Sequence, residues 1–379
     1  MKQVFEGDLD IERLVLSISA ETGVSIEAEN TLIIFDEVQE VPKALTSLKY
    51  FYENAPQYAI VAAGSLLGVA LHQGTSFPVG KVDFLDLYPL NFREFLCAMG
   101  EKQFVSMLDS CDTQMVTVFK TKYIERLREY YFVGGMPEVV KDFSEKKDYN
   151  RVRAIQKNLI NYYQQDFSKH AEIKLVPRLN LVWNSIPMQL AKENKKYIYG
   201  QVREGSRAKD FELAIQWLLD CGLIHKVQRI QKPDLPLKAY IDFDAFKLFL
   251  VDIGLLIAMT DLDAKVIIEG NKIFTEFKGA LTEQYILQQL ISDVGVIPYY
   301  YSTQNSKGEI DFLVQGKTSV IPIEVKAEEN LKAKSLKAFC EKYQPSYAVR
   351  TSMSDYREQD WMTNIPLYAI KWIENYVNQ

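Results

Sequence analysis

Residues 309–326, EIDFLVQGKTSVIPIEVK, alternate apolar and polar side chains so regularly that they predict one structure, an antiparallel hairpin. Glu309 to Val314 and Val320 to Lys326 are its strands, joined through Gln315-Gly316-Lys317-Thr318-Ser319. Ile310, Phe312, Val314, Ile321, Ile323 and Val325 share one face, and Glu309, Asp311, Glu324 and Lys326 the other. A register pairing Asp311 with Glu324 sets the two acids side by side, about 5 Å apart at Cβ. Lys326 follows two residues on along the same face. Neighbouring carboxylates repel unless a cation lies between them. Mg²⁺ suits such a pair, because it needs only one or two carboxylates plus water and a substrate phosphate. Lys326 would position or deprotonate an attacking water, or stabilise charge building up on phosphorus. Asp311, Glu324 and Lys326 are thus candidate catalytic residues, with Asp311 and Glu324 as metal ligands. The plainer alternative is an ion pair of Lys326 with either acid on a solvated hairpin. Against it stands the wholly apolar second face, and Pro322 points to a sheet edge or a bulge. Glu328 and Glu329 add negative charge nearby, which favours a metal and disfavours DNA.

A second signal lies near the start. Leu32 to Phe35 is an unbroken apolar run ending in Asp36-Glu37, as expected of a strand buried on both faces of a parallel sheet. Pro42 to Asn54 predicts a helix, and Tyr58 to Ala63 a second strand ending at Gly64-Ser65. Together they make one βαβ unit. An apolar strand followed by Asp-Glu is the Walker B pattern. There Asp36 would hold Mg²⁺ through water, and Glu37 would orient or deprotonate the attacking water. Asp36 as a helix cap and Glu37 as a solvated side chain fit the same residues. The phosphate-binding partner of Walker B, G-x-x-x-x-G-K-[ST], has no match in the 379 residues.

The string FDEVQEVPKALTSLKYFYENAPQYAIVAAGSLLGV, then SFPVGKVDFLDLYPLNFREF, YFVGGMPEVV, KLFLVDIGLL and GEIDFLVQ with IPIEVKA, resembles prokaryotic AAA+-type ATPases that carry a C-terminal domain of unknown function. The resemblance runs from about Phe5 to the C-terminus. It implies binding of ATP with Mg²⁺ and hydrolysis, Walker B positions at Asp36 and Glu37, and a sensor-like position at Ser65. Two departures stand out. The phosphate loop does not occur, so weak or absent ATP binding is expected. Gly80-Lys81 stands where many relatives have Gly-Arg, and lysine lacks the planar fork of arginine. The spacing of Asp311, Glu324 and Lys326 resembles the PD-(D/E)xK nuclease core. In that fold an upstream helix often supplies another acid, which implies Glu283, on the predicted helix Phe277 to Leu290, as a further metal ligand.

Between these ends, Leu87 to Met99, Thr117 to Tyr131 and Arg151 to Ser168 predict helices of a lid, with a turn at Gly134-Gly135. From Lys174 to Asp244 the order helix, basic loop, helix, hairpin is that of a winged helix. Ser206 would cap its recognition helix, which runs to Asp220, and Leu223 to Ile230 with Leu237 to Phe243 would form the wing. Lys192 to Lys209 is locally basic, so Lys195, Lys196, Arg203, Arg207 and Lys209 are candidate nucleic-acid contacts. A solvated loop, or a winged helix used for packing, fits equally.

Composition removes other classes. The net charge of −6 rules out a general polyanion binder, so any nucleic-acid surface is local. Four scattered cysteines and three histidines give no zinc spacing and no disulfide framework, which favours a reducing cytoplasm. No run of 18 apolar residues suggests a membrane span, and from the acidic residues 1–10 no signal peptide is expected. The expected fold is therefore multi-domain α/β. Residues 1–100 would be a partial AAA+ core, 101–170 a helical lid, 171–262 a winged helix, and 263–379 a restriction-endonuclease-like α/β domain. The expected function is that of an ATPase-family hydrolase impaired in ATP binding. The alternatives are a Mg²⁺-dependent nuclease and a non-catalytic module binding DNA or protein. Self-association through residues 32–87 is expected from exposed strand edges.

Overall fold

The computed structural model describes residues 2–64, 80–192, 195–269, 275–303, 308–328 and 333–379. They form two compact units, 1–87 with 216–223, and 88–215 with 224–379.

In the first unit, helix α1 (Ile11–Thr22) is capped by Asp10, which accepts the Arg13 N–H. Strand β1 (Leu32–Phe35), helix α2 (Pro42–Asn54) and strand β2 (Ala59–Ala62) follow, with Leu32 parallel to Ala59 through Phe35 to Ala62. This is the βαβ unit expected from the sequence. Pro42 opens α2, where its missing N–H costs no helical bond. The core gathers Phe5, Ile11, Leu14, Ile33, Leu45 and Phe51. Burial of β1 on both faces is not found, because Leu32 and Ile34 are 54% and 61% exposed. The core of this unit packs on the Ile33 side, and strand alternation turns Leu32, Ile34 and Val61 outward.

The second unit begins with helices α3 (Phe92–Ala98), α4 (Lys102–Asp109), α5 (Thr113–Val118), α6 (Lys120–Val133), α7 (Pro137–Lys146) and α8 (Tyr149–His170). Next come α9 (Val176–Leu190), the short α10 (Tyr199–Val202) and α11 (Ala208–Asp220), whose residues from Gln216 onward are counted with the first unit. The helix expected from Leu87 starts only at Phe92, because Asn91 and Glu94 form a reciprocal capping box there. The cap expected at Ser206 is displaced as well. Helix α11 begins at Ala208, and Asp210 accepts the Arg207 N–H at 2.8 Å.

An eight-stranded sheet follows, in the order β4-β3-β5-β6-β7-β8-β10-β9. Its strands are β3 (Ile224–Ile230), β4 (Ile241–Leu250), β5 (Tyr299–Ser302), β6 (Glu309–Gln315), β7 (Val320–Val325), β8 (Val349–Ser352), β9 (Arg357–Gln359) and β10 (Met362–Pro366). The hairpin read as a wing is β3–β4. However, β3 also pairs in parallel with β5, so the hairpin extends the large sheet. Helices α12 (Ile253–Met259), α13 (Ala264–Ile268), α14 (Thr275–Gln289), α15 (Lys334–Tyr343) and α16 (Glu374–Val377) complete the unit. Helices α6 and α8, read as a lid, pack against α12.

Three quoted motifs meet in one buried knot. Asp252 caps α12 through the Leu255 N–H at 3.0 Å and accepts the Gly135 N–H at 2.6 Å. A Cβ on Gly134 would lie 2.2 Å from Asp252 Oδ1, and one on Gly135 would lie 2.1 Å from Leu90 O. Leu90 in turn donates its N–H to Gly135 O at 2.7 Å. Helix α14 closes the knot with side-chain amides. Gln284 bonds both backbone groups of Leu250, Gln288 accepts from Ile253, and Gln289 accepts from Phe92. LYPLNF, FVGGMP and LVDIGL are therefore one structural device that satisfies buried backbone groups.

Candidate active site

The β6–β7 hairpin forms in the expected register. Phe312 faces Ile323 and Val314 faces Ile321, a register that points Asp311 toward Glu324, although the observed ladder ends at Phe312 and Ile323. The hairpin is not half-solvated, since every residue of β7 is buried. Pro322 lies on an interior strand and not at an edge. Pairing with β8 begins only at Ile323, so the proline precedes that ladder. The irregularity lies instead between β5 and β6, where the pairing slips between Tyr299 and Tyr301.

Each acid has its own partners. Asp311 Oδ2 accepts the Val325 N–H at 2.7 Å, and its carboxyl lies within hydrogen-bonding reach of Glu283 on α14. Glu283 is paired by Lys195 through Oε1, and Oε2 faces Lys247 Nζ at 3.5 Å. Lys247, in the middle of β4, is fully enclosed, pairs with Glu309 and lies 4.9 Å over the Tyr300 ring. On β7, Glu324 Oε1 pairs with Lys326 Nζ at 2.8 Å. Glu324 Oε2 is buried with no hydrogen-bond partner among the described residues. Arg350 on β8 stands beside Glu324 in register. The ion pair of Glu324 with Lys326 thus exists, but its carboxylate is buried.

Burial and the neighbouring Glu283 raise the Asp311 carboxyl to about 7, against the pull of Lys247 and Lys195. Burial works on Glu283 too, yet Lys195 and Lys247 hold it below the usual range. Lys247 is driven down by burial but held above its ordinary value by Glu283, Glu309 and Asp311.

Among the described residues, no group of three or more His, Cys, Asp or Glu side chains forms a ready-made metal cage. The donors still fit an ion such as Mg²⁺, which keeps most of its water. Asp311 and Glu283 are two hard oxygen donors that crowd each other unless a proton or cation joins them.

The basic stretch divides. Lys195 was expected on nucleic acid, but its side chain is nearly buried against Glu283. Lys196 is half-buried, and Arg203, Arg207 and Lys209 are exposed. The sequence reading missed Lys247 and Arg350. A lysine inside the apolar run AFKLFLV was the available signal, because such a charge needs a buried partner.

In the first unit, Asp36 and Glu37 are exposed where β1 ends, and Asp36 Oδ1 accepts the Glu37 N–H at 3.0 Å. Glu37 is left-handed, with φ of 49°. Asp36 thus closes a local turn and does not cap α2, whose cap position is Val41. Ser65 lies outside the described residues.

Three family models match the chain. They are the AAA domain over residues 3–96, a domain of unknown function (DUF8612) over 124–266, and a domain of unknown function (DUF4143) over 278–370. Among solved structures, a Walker-type ATPase of Pyrococcus abyssi is similar at a TM-score of 0.40 and 13% identity, covering 67% of this chain and 68% of that one. No curated protein matches. The AAA match contains the β1–α2–β2 unit with Asp36 and Glu37, and the DUF4143 match contains Glu283, Asp311, Glu324 and Lys326. Residues 3–96 thus match an AAA domain, and residues 278–370 a DUF4143 domain in the C-terminal part.

Proposed function

We propose that the C-terminal sheet is a divalent-cation-dependent hydrolase site for nucleic-acid phosphodiesters, carried by an AAA-type ATPase-family chain. The observation behind this reading is the acid pair Asp311–Glu283, placed one strand away from the buried Glu324 and its partner Lys326. Asp311 and Glu283 would hold Mg²⁺, with water filling its other positions. When bound, the ion polarises a phosphoryl oxygen and acidifies water. The protein groups do the rest. The Val325 N–H fixes the Asp311 carboxyl, and Lys247 keeps Glu283 and Glu309 in place. Lys326, the more exposed partner of Glu324, places positive charge where a pentavalent phosphate would gain negative charge. The exposed Arg203, Arg207 and Lys209 would meet the phosphate backbone, and the buried Lys195 would not.

For the N-terminal unit we propose that these 379 residues bind ATP weakly, because Asp36 and Glu37 occur without a phosphate-binding loop. The test of the leading reading is cleavage of labelled single- and double-stranded DNA and RNA with Mn²⁺ or Mg²⁺, with and without ATP. Cleavage by the parent that is lost in Glu324→Gln and Lys326→Ala supports it. Equal inertness of all three sinks it and leaves a binding role.

A further inference from the structure

We propose that Lys195 is a built-in counter-cation of the acid cluster, and that a divalent cation binds at Glu283 and Asp311 only by displacing it. The proposal rests on the cation-site reading above and adds a competitor that the chain itself supplies.

Glu283 is held by two lysines that differ in how they are tethered. Lys247 projects from the middle of β4, opposite Val227 of β3, and is wholly enclosed between Glu283, Glu309 and the Tyr300 ring. It cannot leave without opening the sheet. Lys195 comes from the connection between α9 and α10 and enters no strand pairing. Its neighbour Tyr197 anchors that connection, donating its N–H to Phe246 O at 2.8 Å and stacking on the Phe246 ring. The Lys195 ammonium thus reaches the cluster from a connection and not from the sheet framework.

Charge balance then favours an exchange. With Asp311 ionised, as a bound cation requires, three carboxylates, Glu283, Glu309 and Asp311, face two ammonium groups, Lys195 and Lys247. A divalent cation added beside both lysines would leave an excess of positive charge in a poorly hydrated place, which is costly. Withdrawal of Lys195 restores neutrality and frees the Glu283 oxygen it occupies. The same contact explains why Lys195 is nearly buried while Arg203, Arg207 and Lys209 of the same basic stretch are exposed. Its anion is an acid of this chain.

The test is equilibrium binding of Mn²⁺ alone to the full chain, read from the electron paramagnetic resonance signal of the free ion. Parent, Lys195→Met, Lys195→Arg and Glu283→Gln are compared, each checked for a parent-like melting transition. Lys195→Met should bind Mn²⁺ about tenfold more tightly than the parent, in the range usual for coupled binding events. Lys195→Arg, which keeps the charge, should stay close to the parent. Binding by the parent that Lys195→Met leaves unchanged or weakens would overturn the proposal while leaving the cation site standing. Absence of Mn²⁺ binding in both would overturn the cation site and this proposal together. If Lys195→Met fails to melt like the parent, Lys195→Gln is subjected to the same criterion.

Discussion

The carboxyl of Asp311 accepts the Val325 N–H and lies within hydrogen-bonding reach of Glu283, which Lys195 and Lys247 pair in turn. Burial and Glu283 raise Asp311 from 3.8 to about 7, so the folded protein holds a proton there that the unfolded chain releases. A carboxyl raised in this way supports the fold fully below its unfolded value, and that support is lost as pH rises through the folded value. Asp311→Asn, which cannot ionise, should therefore be more stable than the parent at pH 8 and close to it at pH 4. The gain should be on the order of 1–3 kcal/mol. Denaturant melts of both proteins across that pH range measure it.

The Asp252 knot makes a different demand. Asp252→Ala would strand the N–H groups of Gly135 and Leu255 in a dry interior. A loss of about 3 kcal/mol or more is expected. Gly134→Ala should also destabilise, since its Cβ would collide with Asp252 and its φ is positive. Equilibrium unfolding of both variants checks this.

These two sites show what the sequence disclosed and what it withheld. The strands 32–35, 309–315 and 320–325 and helix 42–54 were legible from period and punctuation, as was the placing of Asp311, Glu324 and Lys326 on that hairpin, whereas Glu283 entered only through the resemblance to a nuclease core. Contacts across long stretches of chain were not. Nothing local to Gly134 announces Asp252, 118 positions later, and nothing local to Lys195 announces Glu283. The β3–β4 hairpin reads as a wing because its own residues do not disclose pairing with β5.

His225 on β3 gives an acid-side test. Burial lowers it from 6.5 to about 4, so it stays neutral in the folded protein. A depressed histidine binds its proton better when unfolded, so stability should fall as pH drops from about 6.5 to about 4. His225 is partly exposed, which limits the effect to roughly 1–2 kcal/mol. In His225→Gln that part of the acid-side decline should vanish. Melting temperature measured between those pH values is the readout.

If the basic stretch contacts a phosphate backbone, the contacts are Arg203, Arg207 and Lys209, since these are exposed. Changing all three to Ala should weaken binding to any DNA sequence and flatten its dependence on salt by up to about three units of slope. Lys195→Ala should leave the slope nearly unchanged, because that lysine is paired inside the protein. Fluorescence anisotropy at several salt concentrations distinguishes the two groups.

The most direct test of the C-terminal site is Mn²⁺ binding by the parent compared with Asp311→Asn at pH 7.5. The account predicts saturable binding in the parent, with release of protons, and its loss in Asp311→Asn while the fold is kept. No binding in the parent, or binding that Asp311→Asn leaves unchanged, would contradict it.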